Sequence, residues 1–245
     1  LARGGEFEPW RFRQLAYGRM HKSVPDGELS ELLAILNKLD NGIYTTLDIL
    51  ESRFFVGKDS NYVPSEVLLS VGREAIRNLL SGEREQIELD RIRGTKHIVR
   101  QCLSASAPEQ EIREIVKFLC DGVDAFRFYS FDLNFIIMSL ISNFPEIVLS
   151  EVFTGGDRER RLIHHLFKDR LSRSSPSLNS APVARLIAWC QGDQDRIARV
   201  ATAVCAYSAA EACDVPLEHP KRVVLSEPIK ALLEAAVDKQ GIVNT

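Results

Sequence analysis

Two adjacent histidines, His164 and His165, are the residues whose side chains most readily suggest chemistry, because neutral imidazole is a common metal ligand. They fall in a stretch with helical periodicity, where neighbouring residues point about 100° apart. Side chains directed in this way cannot both bind one metal ion without a break in the helix. We therefore expect one imidazole to lie against Ile163, Leu166 and Phe167 while the other faces solvent.

A second possible metal site combines Cys213 with His219. Zinc sites need four ligands, and no second ligand pair with matching spacing lies near these two residues. Pro216 and Pro220 are typical of an ordinary loop. The sequence therefore predicts no metal at this position.

Other motifs that could bind phosphate or perform catalysis are weak or missing. The glycines of TGGD, residues 154–157, could present backbone N–H groups to an anion, but without a lysine–serine signature they are typical of a helix stop. The sequence contains no GxSxG, GxxxxGK[ST] or GxGxxG motif. Carboxylate pairs, Glu109 with Glu111 and Asp121 with Asp124, are interpreted as solvated helix surface. We predict no catalytic residue, no cofactor and no enzyme activity.

Two basic segments are the candidate interaction surfaces. WRFRQLAYGRMHK alternates aromatic and arginine side chains, and DRERRLIHHLFKDRLSR has more basic than acidic residues. Such mixtures stack on nucleic-acid bases and also concentrate binding energy at protein interfaces, although a solvated surface is the commonest interpretation of a charge run. The candidate interaction residues are Trp10, Arg11, Arg13, Tyr17, Arg19, Arg158, Arg160, Arg161, Lys168, Arg170 and Arg173.

Helices must position these surfaces, because apolar residues recur with a helical period along most of the chain. Asp26 is expected to cap the first helix and Asp157 the helix that follows TGGD. Pro64 suits the first turn of a third helix. The apolar face of that third helix is predicted to be Val67, Leu68, Val71, Ala75, Ile76 and Leu79. Strand-like runs such as KRVVL are too short and too few to make a sheet, so the predicted fold class is all-α.

The most apolar stretch is FDLNFIIMSLISNFPEIVLSEVF. Proline interrupts helices, so Pro145 should divide it into helices around Leu133–Ser142 and Pro145–Phe153. Both pieces are apolar on more than one face, as expected for helices with neighbours on two sides. The longest uncharged run, Leu133–Pro145, is shorter than the ~20 residues of a membrane-spanning helix. We therefore expect this stretch to be buried in protein.

Pairs of short helices started by Pro or Asp and ended by Gly are typical of helical repeats. WCQGDQDRIARVATAVCAY resembles the turn and second helix of a HEAT-like repeat, with Ile197, Val200, Ala201 and Val204 inside, and NFPEIVLSEVFTGGDRERRLIHHLF has a similar plan. This resemblance to HEAT-like α-helical repeat proteins implies an α-solenoid, a right-handed stack of antiparallel helix pairs. A globular multi-helix bundle is the alternative.

The domain organisation follows from this pattern. We expect an N-terminal lead-in at 1–22, in which GGEF could be a cloning remnant, and a helical repeat region at 23–171. A Ser/Pro-rich linker at 172–182 would precede C-terminal helical pairs at 183–245 that continue the stack. The first residue is not Met and the end is abrupt, so an excised fragment of a longer chain is expected. FRQLAYGRMHKSVPDGELSELLAIL also resembles helical regions attached to large multidomain bacterial NTPases.

The amino-acid composition narrows the range of possible functions. The 245 residues are 45% hydrophobic and 27% charged with a net charge of −3, which is typical of a globular protein and argues against a surface devoted to nucleic acid. Five cysteines without a CxxC pair indicate reduced thiols in the cytoplasm.

We expect a non-catalytic helical scaffold or protein-interaction and regulatory module of a larger bacterial protein. Its partner would be another protein or other domains of the parent chain, with no membrane association. The alternative is a nucleic-acid-binding helical-repeat protein similar to HEAT-like DNA glycosylases, which would use a basic face. The mildly acidic charge and the absence of a recognisable catalytic aspartate count against that alternative.

Overall fold

The computed structural model describes residues 24–39, 42–57, 62–81, 95–122, 131–166, 181–190, 193–200 and 203. These ranges form α-helices and connecting turns and contain no β-strand, which confirms the predicted all-α class for this part of the chain. The chain divides into two compact units, Leu1–Phe126 and Arg127–Thr245, here called unit 1 and unit 2.

Unit 1 contains five described helices. They are α1 Asp26–Leu36, α2 Gly42–Gly57, α3 Glu66–Leu80, α4 Lys96–Cys102 and α5 Glu109–Asp121. Helix α3 packs against the other four, and α2 also packs against α1 and α4. The apolar face predicted for α3 is buried except at Val67, whose side chain is 61% exposed. Helix α3 therefore forms the centre of the described part of unit 1.

The directions of these helices follow from the contacts at their ends. A Cβ at Gly42 would collide with the carbonyl oxygen of Leu36, so α2 begins where α1 ends. Near the other end of α2, Arg53 binds the Asp26 carboxylate with an N–O distance of 3.1 Å, so α2 runs antiparallel to α1. The backbone N–H of Ser65 also donates to Asp26, which places the start of α3 beside the start of α1.

Helices α3 and α5 run in the same direction. Arg73 on α3 binds Glu111 on α5, and Arg77, one turn further along α3, binds Glu114, almost one turn further along α5. Because both pairs advance together, the two helix axes are parallel. In unit 1, α1, α3 and α5 thus form a row of parallel helices, with α2 packed antiparallel to α1.

Unit 2 contains α6 Phe131–Asn143, α7 Pro145–Val152, α8 Gly156–Leu166, α9 Val183–Cys190 and helical residues 194–200. Helix α7 packs against α6, α8 and α9. The chain bends by 108° between α6 and α7. This bend at Pro145 confirms the predicted division of the apolar stretch.

Most described apolar residues of this stretch are buried, as predicted, whereas Met138 is 39% exposed. Leu133, Ile136 and Leu140 on α6 and Val148 and Leu149 on α7 are all inaccessible or nearly so. In the described residues, no single helix is both long enough and apolar enough to cross a membrane, although the bent α6–α7 pair meets the same criterion when its two helices are combined.

Candidate functional site

The structure shows only part of the predicted interaction surfaces. All five candidates of the N-terminal segment, from Trp10 to Arg19, lie outside the described residues, as do Lys168, Arg170 and Arg173. The possible ligands Cys213 and His219 and the side chain of His165 are also outside them. In the described ranges, no group of three His, Cys, Asp or Glu side chains could hold a metal ion.

The three described arginines of the second basic segment lie on α8. Arg158 binds the carboxylate of Glu151 at 3.0 Å and the backbone carbonyl of the same residue at 3.2 Å. Arg160 is exposed and pairs with Asp157 at 2.6 Å, and Arg161 is also exposed. The positive charge of Arg158 and Arg160 is therefore balanced within the chain.

The glycines at the start of α8 do form a turn that could receive an anion, but the chain supplies that anion itself. Gly155 and Gly156 have φ values of 90° and 74°, a left-handed conformation that favours glycine. The backbone N–H of Gly155 donates to the carboxylate of Glu159 at 2.6 Å, and Arg199 binds the same carboxylate at 3.0 Å. The predicted cap at Asp157 is wrong, because Glu159 satisfies this end of the helix instead.

A cleft lies between the parallel helices α3 and α5. It encloses about 260 Å³, and we call it the α3–α5 groove. Its lining residues are Ser70, Arg73, Glu74, Arg77, Glu111, Glu114 and Ile115.

Arg73 forms the floor of the α3–α5 groove and is only 1% exposed. Its Nε donates to Glu111 at 2.5 Å, and its Nη2 binds Glu66, the first residue of α3. A buried guanidinium needs such partners, because an unpaired charge in the interior is strongly unfavourable. Burial lowers the pKa of Arg73, but hydrogen bonds and charge interactions with Glu111 and Glu66 outweigh it and raise the pKa above its ordinary value. The side chain therefore stays cationic.

The predicted solvent-exposed position of the carboxylate pair Glu109 and Glu111 is wrong for Glu111. Glu109 does lie on the solvated surface, where it pairs with Arg113, but Glu111 binds the buried Arg73 instead. Sequence reasoning missed this site, although Arg73 and Glu66 are seven residues apart and therefore lie on one face of a helix. This seven-residue spacing was the signal in the sequence from which the pairing could have been predicted.

A second polar cluster joins the beginnings of α1 and α3 to the end of α2. The Asp26 carboxylate accepts hydrogen bonds from the Tyr62 hydroxyl at 2.7 Å, from Arg53 at 3.1 Å and from the Ser65 N–H at 2.8 Å. The Arg53 guanidinium also lies 4.8 Å from the centre of the Tyr62 ring, a cation–π distance. Asp26 was predicted to cap α1, which is wrong, because Pro25 occupies the cap position.

The Asp26 cluster shifts the pKa values of its members, including Asp26 and Tyr62. Burial alone raises the pKa of Asp26, but hydrogen bonds from Tyr62, Ser65 and Arg53 together lower it below its ordinary value. Burial is also the main reason why the pKa of Tyr62 rises to about 12. At neutral pH the cluster therefore contains a carboxylate, a guanidinium and a neutral phenol, which is a structural arrangement without a proton donor or acceptor matched to neutral pH.

Glu51, on α2, binds the beginning of the short helix α4. Its carboxylate accepts hydrogen bonds from the backbone N–H groups of His97 at 3.0 Å and Ile98 at 3.1 Å, and lies 2.7 Å from the His97 ring nitrogen Nδ1. Thr95, at the cap position of α4, makes no capping hydrogen bond with its side chain. The start of α4 therefore depends on a side chain from another helix.

The described cysteines are buried free thiols with no disulfide. Burial raises the pKa of the Cys102 thiol to about 12 and that of Cys190 to about 11. Since the thiolate is the nucleophilic form, neither side chain is activated for covalent catalysis.

In unit 2, arginines and a tryptophan attach the later helices to α7. Arg185 on α9 binds Glu146 and the backbone carbonyl of Asn143. The indole N–H of Trp189 donates to the Ser150 hydroxyl at 3.0 Å, and the guanidinium of Arg196 lies 4.7 Å from the indole centre. These groups hold the helices of unit 2 together.

No protein-family model matches this chain, and it has no significant match among curated proteins or solved structures. The functional proposal therefore depends on the contacts within the chain.

Proposed function

We propose that this chain is a non-catalytic helical scaffold that binds another protein or another domain. The observation that supports this proposal best is how the charged side chains of the described residues are used. Arg73, Arg53 and Arg185 each reach a carboxylate on a different helix or helix end, and Glu51 and Glu159 each satisfy the start of a helix. Side chains engaged in this way stabilise architecture and are not free to act as acids, bases or nucleophiles.

The proposed arrangement is a HEAT-like stack of helix pairs. Support comes from unit 1, where α1, α3 and α5 run parallel in a row and α2 runs antiparallel to α1 while it packs against both α1 and α3. A stack of helical hairpins places alternate helices in parallel rows in this manner. A globular bundle of up-and-down neighbours would not require the parallel pair of α3 and α5.

A scaffold needs an accessible surface that a partner can cover. Unit 1 carries most of the exposed large apolar side chains of the described residues, including Ile35, Phe55, Val63 and Val67, whereas unit 2 contributes Met138. Apolar and aromatic side chains of this kind form the centres of protein interfaces. We therefore assign partner binding to unit 1, with a cytoplasmic location supported by the free thiols Cys102, Cys120 and Cys190.

Site-specific photocross-linking tests the proposal. A photoreactive amino acid replaces Phe55 or Val63 in the full chain, and exposed Ala184 in unit 2 is the matched control position. We expect one discrete cross-linked protein from the two apolar positions and none from Ala184, with binding reproduced between the two purified proteins. Equal products at all three positions, or no product at any of them, would refute the scaffold proposal.

Binding to generic duplex DNA at two salt concentrations separates this proposal from the nucleic-acid alternative. Phosphate contacts release counterions, so nucleic-acid binding weakens steeply as salt increases. With Arg158 and Arg160 already paired with carboxylates, we expect no micromolar binding at ~150 mM salt. Salt-sensitive micromolar binding would instead favour the nucleic-acid function.

A further inference from the structure

The α3–α5 groove has an excess of negative charge. Glu66, Glu74, Glu111 and Glu114 lie in or at the edge of the groove, opposite two guanidiniums, so the formal charge is −2. Arg73 is shared between Glu66 and Glu111, and Arg77 pairs with Glu114. Glu74 lines the groove without an ion-pair partner in the described ranges. A cationic group of a partner would neutralise part of this excess negative charge.

Exposed apolar side chains lie on α3 and α5 beyond the residues that line the groove. Val67 is one helical turn before Ser70 on α3, and Phe118 is one turn after Glu114 on α5; they are 61% and 37% exposed. Because α3 and α5 are parallel, with Arg77 level with Glu114, Val67 and Phe118 fall at opposite ends. The surface of α3 and α5 is thus acidic at the groove and carries one exposed apolar side chain beyond each end of it.

The span from Val67 through the groove to Phe118 has the length of a short peptide. Val67 lies ten residues before Arg77, and Phe118 lies four residues after Glu114. With a rise of ~1.5 Å per residue, the distance along the helices is about 20 Å. An extended peptide at ~3.3 Å per residue covers that distance with about six residues.

We propose that the α3–α5 groove binds an extended segment of a protein partner in which one or two basic residues are flanked by apolar residues. The basic side chains lie beside Glu74 and Glu114, and the flanking apolar side chains contact Val67 and Phe118. A divalent cation fits less well, because Arg73 and Arg77 also line the groove. This inference rests on the scaffold function proposed above and adds the binding surface and the partner chemistry.

Selection from a random heptapeptide library displayed on phage, with the purified full chain as target, tests the groove. We expect enrichment of peptides with Lys or Arg between aliphatic or aromatic residues. Synthetic fluorescent copies of the enriched peptides are then titrated against the wild type, Glu74→Lys and Glu31→Lys. Glu31 is an exposed carboxylate on α1, so Glu31→Lys makes the same change in net charge outside the groove.

Charge reversal at Glu74 should raise the Kd at least about tenfold, because it places a cation against the basic residues of the peptide. Glu31→Lys should change the Kd by less than about twofold after the same change in net charge. Glu74 makes no ion pair in the described ranges, so both variants should keep the wild-type circular dichroism spectrum. Val67→Ser should separately weaken binding of peptides that carry the apolar flanks.

The groove assignment is overturned if basic peptides are not enriched, or if both charge-reversal variants weaken binding equally. The photocross-linking result distinguishes failure of the groove proposal from failure of the scaffold proposal. A partner captured at Phe55 or Val63 together with a failed peptide selection would leave the scaffold function standing and remove only the groove.

Discussion

Gly72 lies close to the Cys102 sulfur in the core of unit 1, and this close approach can be tested by placing alanine at each position, singly and together. A Cβ at Gly72 would lie 2.5 Å from the Cys102 Sγ and 3.4 Å from a methyl carbon of Leu50. The first distance is far too short, and Cys102 is fully buried, so its thiol has no open space to enter. Gly72→Ala should therefore force α3 and α4 apart.

The expected magnitude combines two opposite effects. Overpacking a core costs about 1–3 kcal/mol, whereas Ala in place of Gly inside a helix contributes about 1 kcal/mol of stability. Gly72→Ala should therefore lower the free energy of unfolding by about 0–2 kcal/mol. Cys102→Ala alone leaves a small void and should lower it by about 1–2 kcal/mol.

The double variant should be more stable than the two single variants predict. With Ala at both positions, the new Cβ lies 3.9 Å from the Cβ of residue 102, an ordinary van der Waals contact. The methyl group then fills the space of the lost sulfur and keeps the helix preference of Ala. We expect a favourable coupling free energy of about 1.5–3 kcal/mol in a double-mutant cycle.

Guanidinium denaturation, followed by far-ultraviolet circular dichroism, measures these free energies. Gly27→Ala is the matched control, because a Cβ at that helical position meets no atom within 4 Å and should not destabilise the chain. An additive double variant, with a coupling free energy below about 0.5 kcal/mol, would show that Gly72 and Cys102 do not exclude each other.

Three further predictions concern polar groups of unit 1. Because the pKa of Asp26 is lowered on folding, its contribution to stability is present above the ordinary pKa of 3.8 and is lost as the pH falls through the lower folded value. Asp26→Asn should therefore flatten an acid-denaturation curve measured below pH 4, and an unchanged curve would contradict this. Thr46 is 0% exposed and its hydroxyl has no hydrogen-bond partner in the described ranges, so Thr46→Val should raise the free energy of unfolding by about 1 kcal/mol, and a decrease would reveal a partner. The double variant Glu66→Gln/Glu111→Gln leaves the buried Arg73 cation without a carboxylate and should lower the free energy of unfolding by about 3–5 kcal/mol. Arg73→Met removes the cation itself and should lower it by less in the same denaturation measurement. The reverse order would refute the role given to Arg73.

Local signals in the sequence were sufficient where a helix is defined by its own residues. Helix α5 begins after Pro108 and ends before Gly122, and its regularly spaced apolar residues Ile112, Ile115, Val116 and Leu119 are buried. Pro145 divides α6 from α7 for the same reason, because a proline acts on its immediate neighbours.

Sequence reasoning was not sufficient where a side chain bonds to a distant part of the chain. Asp26 resembles an ordinary helix cap, and only folding brings it to Tyr62 and Ser65, 36 and 39 residues later. Glu109 and Glu111 look equivalent on α5, and only the position of α3 separates an exposed carboxylate from one that binds a buried arginine. The α3–α5 groove was therefore not predictable, since it is created by the parallel packing of two helices.

The bond from Glu51 to the beginning of α4 has a consequence for the order of folding. Helix α4 has only seven residues, and an isolated helix of that length is unstable in water because its first turn is entropically unfavourable. The carboxylate that satisfies its first N–H groups comes from a residue 46 positions earlier. We therefore expect α4 to form only after α2 has formed and reached it, as a late and cooperative step in the folding of unit 1.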